Sequence, residues 1–425
     1  MKNTNEANKA NETSDTNNFQ NLQVFETGSL TSRTEGFYNY IQNRKSNGIF
    51  QYNVVSKSNT GASMSIINPF TGKIQHVDSY ISNDYLGLSY HPEVVQSGIE
   101  AMHQYGASAG ASQLIGGQLQ IHEELEAALS NFFGKEATVL FPSGYAANIG
   151  LLTLFGKNDL IIMDMYVHAS IKAGCCYAST KTFLHNDMES LEAILINSQV
   201  YDNRIIIVDG VYSQEGDIAN LDIITRLAKK YNAIVAVDDA HGIGVFGKGG
   251  RGALDNNSLY QKVDIIIGTL SKALGSAGGF VVGNKRLINY LKHFAGANIF
   301  SVGLSPQAAG SALKSLELLQ KEKARREAIL ENIRYFKKGL DERGINYGNS
   351  QSQIFPILFR DEIETNHAAM ALLENDIFIN PITYPAVPKK RSRLRVSILS
   401  THTKGQLDKL LHILHTIKNA NRDKN

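Results

Sequence analysis

The sequence predicts an α/β fold, in which an open sheet is covered by helices on both faces and a smaller α+β domain follows. Three observations predict it. Seven short apolar runs (Ala137–Phe141, Asp159–Met163, Lys181–Leu184, Arg204–Val208, Ala233–Val237, Val263–Ile267 and Gly279–Gly283) succeed one another along the chain. Most are separated by turn residues and stretches of helical periodicity. The runs are continuously apolar rather than alternating, as strands are when both faces of their sheet are buried.

Taken in order, residues 1–30 are rich in Asn, Thr, Glu and Lys and lack an apolar segment, so they read as a disordered lead-in and not a secretory signal. Residues 31–90 form an N-terminal segment, with a helix and then an extended stretch expected between Thr31 and Asn53. Residues 91–305 make the large domain. It opens with helical spacing over His91–Tyr105, a small-residue loop over Gly106–Gly117 and an amphipathic helix over His122–Phe133. A Pro-Ser-Gly turn after the first strand leads to an Ala/Leu-rich helix, and further helices are expected from about Met188 and over Ile223–Tyr231. Residues 306–425 hold one long helical stretch, Pro306–Glu342, then strands at Ile354–Leu358, Ile377–Ile379 and Leu394–Ser397, and a helix over Lys404–Asn419.

Composition excludes several classes. With 425 residues and 43% apolar content the chain can bury a large core and a smaller second one. A formal net charge of +2 gives no nucleic-acid footprint, and the basic run Lys389–Arg391 with Arg393 and Arg395 is short. The only cysteines, Cys175 and Cys176, are neighbours, so neither a disulfide framework nor metal-ligand spacing exists, which fits a reducing, cytoplasmic compartment. No run reaches the ~18 apolar residues of a membrane span, leaving at most peripheral membrane contact.

The chemistry lies just past the strand-like runs, where open α/β sheets bind ligands. Lys272, in Gly268-Thr-Leu-Ser-Lys272, can condense with an aldehyde, and Asp238, in Val237-Asp-Asp-Ala-His241, can keep a ring nitrogen protonated. Pyridoxal 5'-phosphate needs both groups. Ser143, Gly144 and Tyr145 open a helix whose N–H groups suit a phosphate. Thr269 and Ser271 add hydroxyls. His168 can stack on the pyridine ring, while Ser213 and His241 can reach its phenolic oxygen. Singly, each of these residues also fits a cap, a turn or a satisfied core position; together, at successive strand ends, they describe one site.

With Asn83-Asp-Tyr-Leu-Gly-Leu88, His122, Glu124-Leu-Glu126, His168-Ala-Ser170, Arg393-Leu-Arg395 and Thr401-His-Thr403, these motifs resemble the α-oxoamine synthases. The resemblance covers about Tyr40 to Ile417. It implies the fold-type I architecture with a mixed, mostly parallel seven-stranded sheet, and decarboxylative joining of an amino acid to an acyl-CoA. It further implies a homodimer with a shared active site, where Ser301 reaches the partner's cofactor phosphate. Arg395, with Asn83 and Ser112, is then expected to bind the amino-acid substrate.

Within the family, Asn380–Pro388 and Ser271–Phe280 are most similar to bacterial serine palmitoyltransferases, implying a long-chain donor in sphingolipid or sulfonolipid synthesis. Ser143–Asn148 and Asp238–Gly242 also resemble 8-amino-7-oxononanoate synthases, and glycine C-acetyltransferase is a third option. Gln113 stands where many members carry arginine, which counts against a dicarboxylic acyl donor. A fold-type I aminotransferase is the reading from another class.

Overall fold

The computed structural model describes residues 29–384 and 386–422; the expected lead-in lies outside the described residues up to residue 28. Helix α1 (Leu30–Ser46) begins at Ser29, whose hydroxyl accepts from Ser32 N as an N-cap. Strands β1 (Ser63–Ile67) and β2 (Ile74–Ser79) follow as an antiparallel pair. Sequence periodicity does not reveal them, because in each strand only two residues are buried. Helix α2 (Pro92–Tyr105) has proline at its first turn, where a missing N–H costs nothing, and α3 (Gln120–Phe133) packs nearby.

The central sheet takes β3 (Ala137–Phe141), β4 (Asp159–Asp164), β5 (Ser179–Phe183), β6 (Asn203–Asp209), β7 (Ile234–Asp238), β8 (Ile265–Thr269) and β9 (Gly279–Gly283) in the order β3-β9-β8-β7-β6-β4-β5. All pairings are parallel except those of β9, which runs antiparallel to both β3 and β8. Helices α4 (Gly144–Leu152) and α5 (Ala169–Gly174) follow β3 and β4.

Alternation along the strands explains their continuous hydrophobicity. Ile206, Val208, Val235, Val237 and Ile266 belong to one buried cluster, and Ile205, Ile207, Ala236, Ile265 and Ile267 to another. Successive side chains leave opposite faces, so both faces demand apolar residues. Truncating any one of the fully buried isoleucines to alanine is expected to cost about 2–5 kcal/mol.

The single helical stretch expected over Pro306–Glu342 is instead two helices, Pro306–Lys321 and Lys323–Glu342, broken at Glu322 (φ −93°, ψ 77°). No Pro or Gly marks the break. Tertiary bonds hold it: Arg325 donates to Leu86 O, and buried Arg326 donates to Leu319 O at 2.7 Å and Lys248 O at 2.9 Å. Local periodicity carries no trace of such partners.

Beyond lie β10 (Ile354–Leu358), β11 (Ile377–Phe378), β12 (Pro381–Ile382) and β13 (Arg393–Ser397). One three-stranded sheet is β10-β13-β12; the other, β1-β2-β11, unites the N-terminal segment with the C-terminal region. The loop after β8 reaches the N-terminal segment through Gly275. Its φ is +55°, and an added Cβ would sit 2.3 Å from Ser89 N, so only glycine permits this approach.

Candidate active site

The loops following β3, β4, β7 and β8 converge on a cavity of about 250 Å³. Nine predicted residues line it: Ser143, Gly144, Tyr145, His168, Asp238, His241, Thr269, Ser271 and Lys272. Asn148, Ser170 and Asp209 line it as well and were not anticipated. One signal could have found Asp209: it ends β6 directly opposite Asp238 in the strand register.

At one end, Ser143 caps α4 by accepting from Ala146 N at 3.0 Å. Gly144 lies so close to β8 that an added Cβ would stand 3.1 Å from Thr269 Cβ. Thr269 and Ser271 share a 2.7 Å hydrogen bond there. A helix start, a bare backbone and two hydroxyls form an anion cradle.

At the other end, buried Asp238 accepts from Asn148 Nδ2 at 2.7 Å and from Ala240 N at 3.1 Å. Asp209, buried beside it, has its pKa pushed well up by burial first and then by the charge of Asp238. Lys272 is depressed to about 8: burial dominates, Asp238 opposes it, and Arg395 reinforces it. His168 stays partly open to solvent, but burial of its inner side lowers its pKa, with Asp238 opposing and Lys272 assisting.

A second group adjoins the first. Tyr85 OH lies 3.0 Å from Asn83 Oδ1 and 2.7 Å from His241 Nδ1. With the tyrosine proton given to Asn83, His241 donates from Nδ1, which leaves Nε2 as an acceptor. Arg395 donates from Nε to Ser213 O at 2.7 Å, from its terminal nitrogens to Asn83 Oδ1 at 3.3 Å, and to Ser397 Oγ at 2.8 Å. Asn83, Ser213 and Arg395 are thus brought together, although none lines the cavity itself. Ser112 and Ser301 do not line it either. Their loops are joined to each other where Gly303 N donates to Ala111 O at 3.0 Å.

His122 turns out to be committed to the backbone. Fully buried, its Nδ1 accepts from Leu119 N and its Nε2 lies 2.7 Å from Leu304 O. Among the described residues no cluster of His, Cys, Asp and Glu could hold a metal, and no helix is long and apolar enough to cross a membrane.

The donor set fits pyridoxal phosphate: an amine of low pKa for the aldehyde, a carboxylate held by two donors for the ring nitrogen, and an anion cradle for the phosphate, all on one cavity. The comparisons agree. A family model described as aminotransferase class I and II matches residues 81–414. An 8-amino-7-oxononanoate synthase of Treponema denticola is 42% identical over 79% of this chain and 86% of its own length. A serine palmitoyltransferase of Sphingobacterium spiritivorum is 38% identical over 90% and 94%. A serine palmitoyltransferase from S. paucimobilis, solved with a bound PLP–myriocin adduct, superposes with a TM-score of 0.87 at 30% identity, covering 92% of this chain and 99% of that one. The chain belongs to the class I and II aminotransferase family and, within it, to the α-oxoamine synthases, which are pyridoxal phosphate-dependent C-acyltransferases.

Proposed function

We propose that this α-oxoamine synthase condenses a small polar amino acid, serine in the first instance, with a long-chain acyl-CoA, releasing CoA and carbon dioxide and leaving a 3-oxo amine. One observation carries the choice of acyl donor. Gln113 holds its place with an uncharged amide already in use: Nε2 donates to Gln118 at 2.7 Å and Oε1 accepts from Asn298 at 2.8 Å. That side chain offers no cation to the far carboxylate of a dicarboxylic donor.

When bound, the cofactor supplies an electron sink for negative charge at the amino acid's Cα. The protein's own groups do the rest. Arg395, held by Ser213 O and Asn83, presents a fixed guanidinium to the substrate carboxylate. Lys272 would hold the aldehyde end of the cofactor, and its amine, with a pKa near 8, is suited to take a proton from the substrate's Cα. Asp238 would hold the proton on the ring nitrogen, with His168 placed to cover the ring and His241 to meet its phenolic oxygen. Ser143, Gly144, Thr269 and Ser271 hold the phosphate.

Thiol release by the holoprotein tests the assignment, with palmitoyl-, pimeloyl- and acetyl-CoA crossed against serine, alanine, glycine and cysteate. Palmitoyl-CoA with serine is expected to give kcat/KM at least about tenfold above any pimeloyl-CoA pairing. Higher turnover of pimeloyl-CoA with alanine would replace this reading with 8-amino-7-oxononanoate synthesis. No thiol release, together with amino-group transfer to a keto acid, would make it an aminotransferase.

A further inference from the structure

Along the wall of the cavity, a run of short hydrogen bonds joins Asp238 to His168. Asn148, buried in α4, gives one amide proton to Asp238 Oδ2 at 2.7 Å and the other to Ser170 Oγ at 2.9 Å. The carboxylate fixes which way the amide faces: turned over, it would set its own oxygen against a carboxylate oxygen, two acceptors in contact. Having accepted from Asn148, the Ser170 hydroxyl has its proton free for His168 Nδ1 at 2.7 Å. Ser170 N approaches the same nitrogen at 3.3 Å, because His168 caps the start of α5 with its side chain. Two donors therefore converge on Nδ1, and a neutral imidazole so placed carries its proton on Nε2.

We propose that Asn148 and Ser170 are positioning residues that lock His168 in the Nε2–H tautomer, so that it meets the reacting groups as a hydrogen-bond donor rather than as a base. Direction is what makes the run informative. Each group in it has one arrangement left once its neighbour is placed, starting from the carboxylate. Burial, which keeps His168 neutral near pH 7, makes the tautomer the relevant variable there rather than the charge. Ser170 is fully buried and Asn148 nearly so, which keeps solvent from the bond between them. His168 thus inherits its orientation from the same residue that serves the ring nitrogen. The consequence for catalysis rests on the reading of the cavity as the cofactor site; the tautomer itself is a property of the chain alone.

Nitrogen NMR of histidine-labelled apoprotein, with His168→Gln used to identify the signal, reads the tautomer without cofactor or activity. Native protein is expected to favour Nε2–H by at least about tenfold, and Ser170→Ala to bring the two tautomers within about threefold of each other. Asn148→Ala, which leaves the serine hydroxyl free to turn, should move the balance the same way and serves if Ser170→Ala fails to fold. A native Nδ1–H tautomer, or an unchanged balance in a folded variant, overturns the proposal. Pyridoxal phosphate binding by the same samples is scored separately: a locked tautomer with no binding would sink the functional reading and leave this one standing.

Discussion

Lys272 shows how much one environment can change one residue. With its pKa near 8, roughly one amine in ten is neutral at pH 7, against roughly one in several thousand for an ordinary lysine. Stopped-flow capture of pyridoxal phosphate by apoprotein is therefore expected to accelerate with pH and level off above about 8. A rate still climbing at pH 10 would contradict the depressed value. Arg395 makes a second case. Lysine in its place keeps the charge but loses the fixed fork, so Arg395→Lys is expected to raise KM for the amino acid about 10- to 100-fold while kcat changes little. The sequence shows both residues because their neighbours are local motifs. It hides the link through Asn148, whose partners Ser170 and Asp238 stand on other elements and are brought to it by the fold rather than by spacing along the chain.

Among elements, the loop after β6 illustrates how a site is braced from behind. His185, after β5, lies 3.0 Å from Asp164 at the end of β4 and 2.7 Å from Asp217 in that loop, with the rings of Tyr166 and Tyr212 against it. Burial works to lower its pKa, but hydrogen bonds to both carboxylates and their charges outweigh that and push it up to about 9. The same loop passes Ser213 O to Arg395 and Glu215 to buried Arg393, 3.0 Å away. A histidine whose folded pKa exceeds its unfolded value stabilises fully below about 6.5, and that contribution fades as pH rises through about 9. Urea midpoints are accordingly expected to fall between those pH values in the native protein, and less steeply in His185→Gln. Equal slopes would remove the clamp from the account. Strand positions were largely legible here, since runs such as Gly279–Gly283 and Ile354–Leu358 are found where the apolar pattern puts them. The bend at Glu322 and the β1–β2 pair were not, because distant partners and half-exposed strands leave little local pattern.

At the scale of the whole molecule, the expected homodimer makes a prediction of its own. Ile115 is 79% and Phe300 88% exposed, on the two joined loops that carry Ser112 and Ser301. In the expected homodimer, Ser301 would serve the partner's cofactor phosphate. Mixing Lys272→Ala with Ser301→Glu tests the sharing. If sites are shared, a mixed dimer has one site carrying both lesions and one intact, so re-equilibrated mixtures should recover about a quarter of native activity. Recovery of nothing would place each site within a single chain.

The sheet β1-β2-β11 bears on how this protein is made. Its first two strands leave the ribosome early, yet β2 pairs with Ile377–Phe378, from near the end of the chain. At ordinary elongation rates the gap is on the order of tens of seconds. Through that interval β2 has an open edge, and only β1 and the growing central domain are at hand to shield it. The closing of this small sheet is thus a late, long-range pairing that the active site's second group must await.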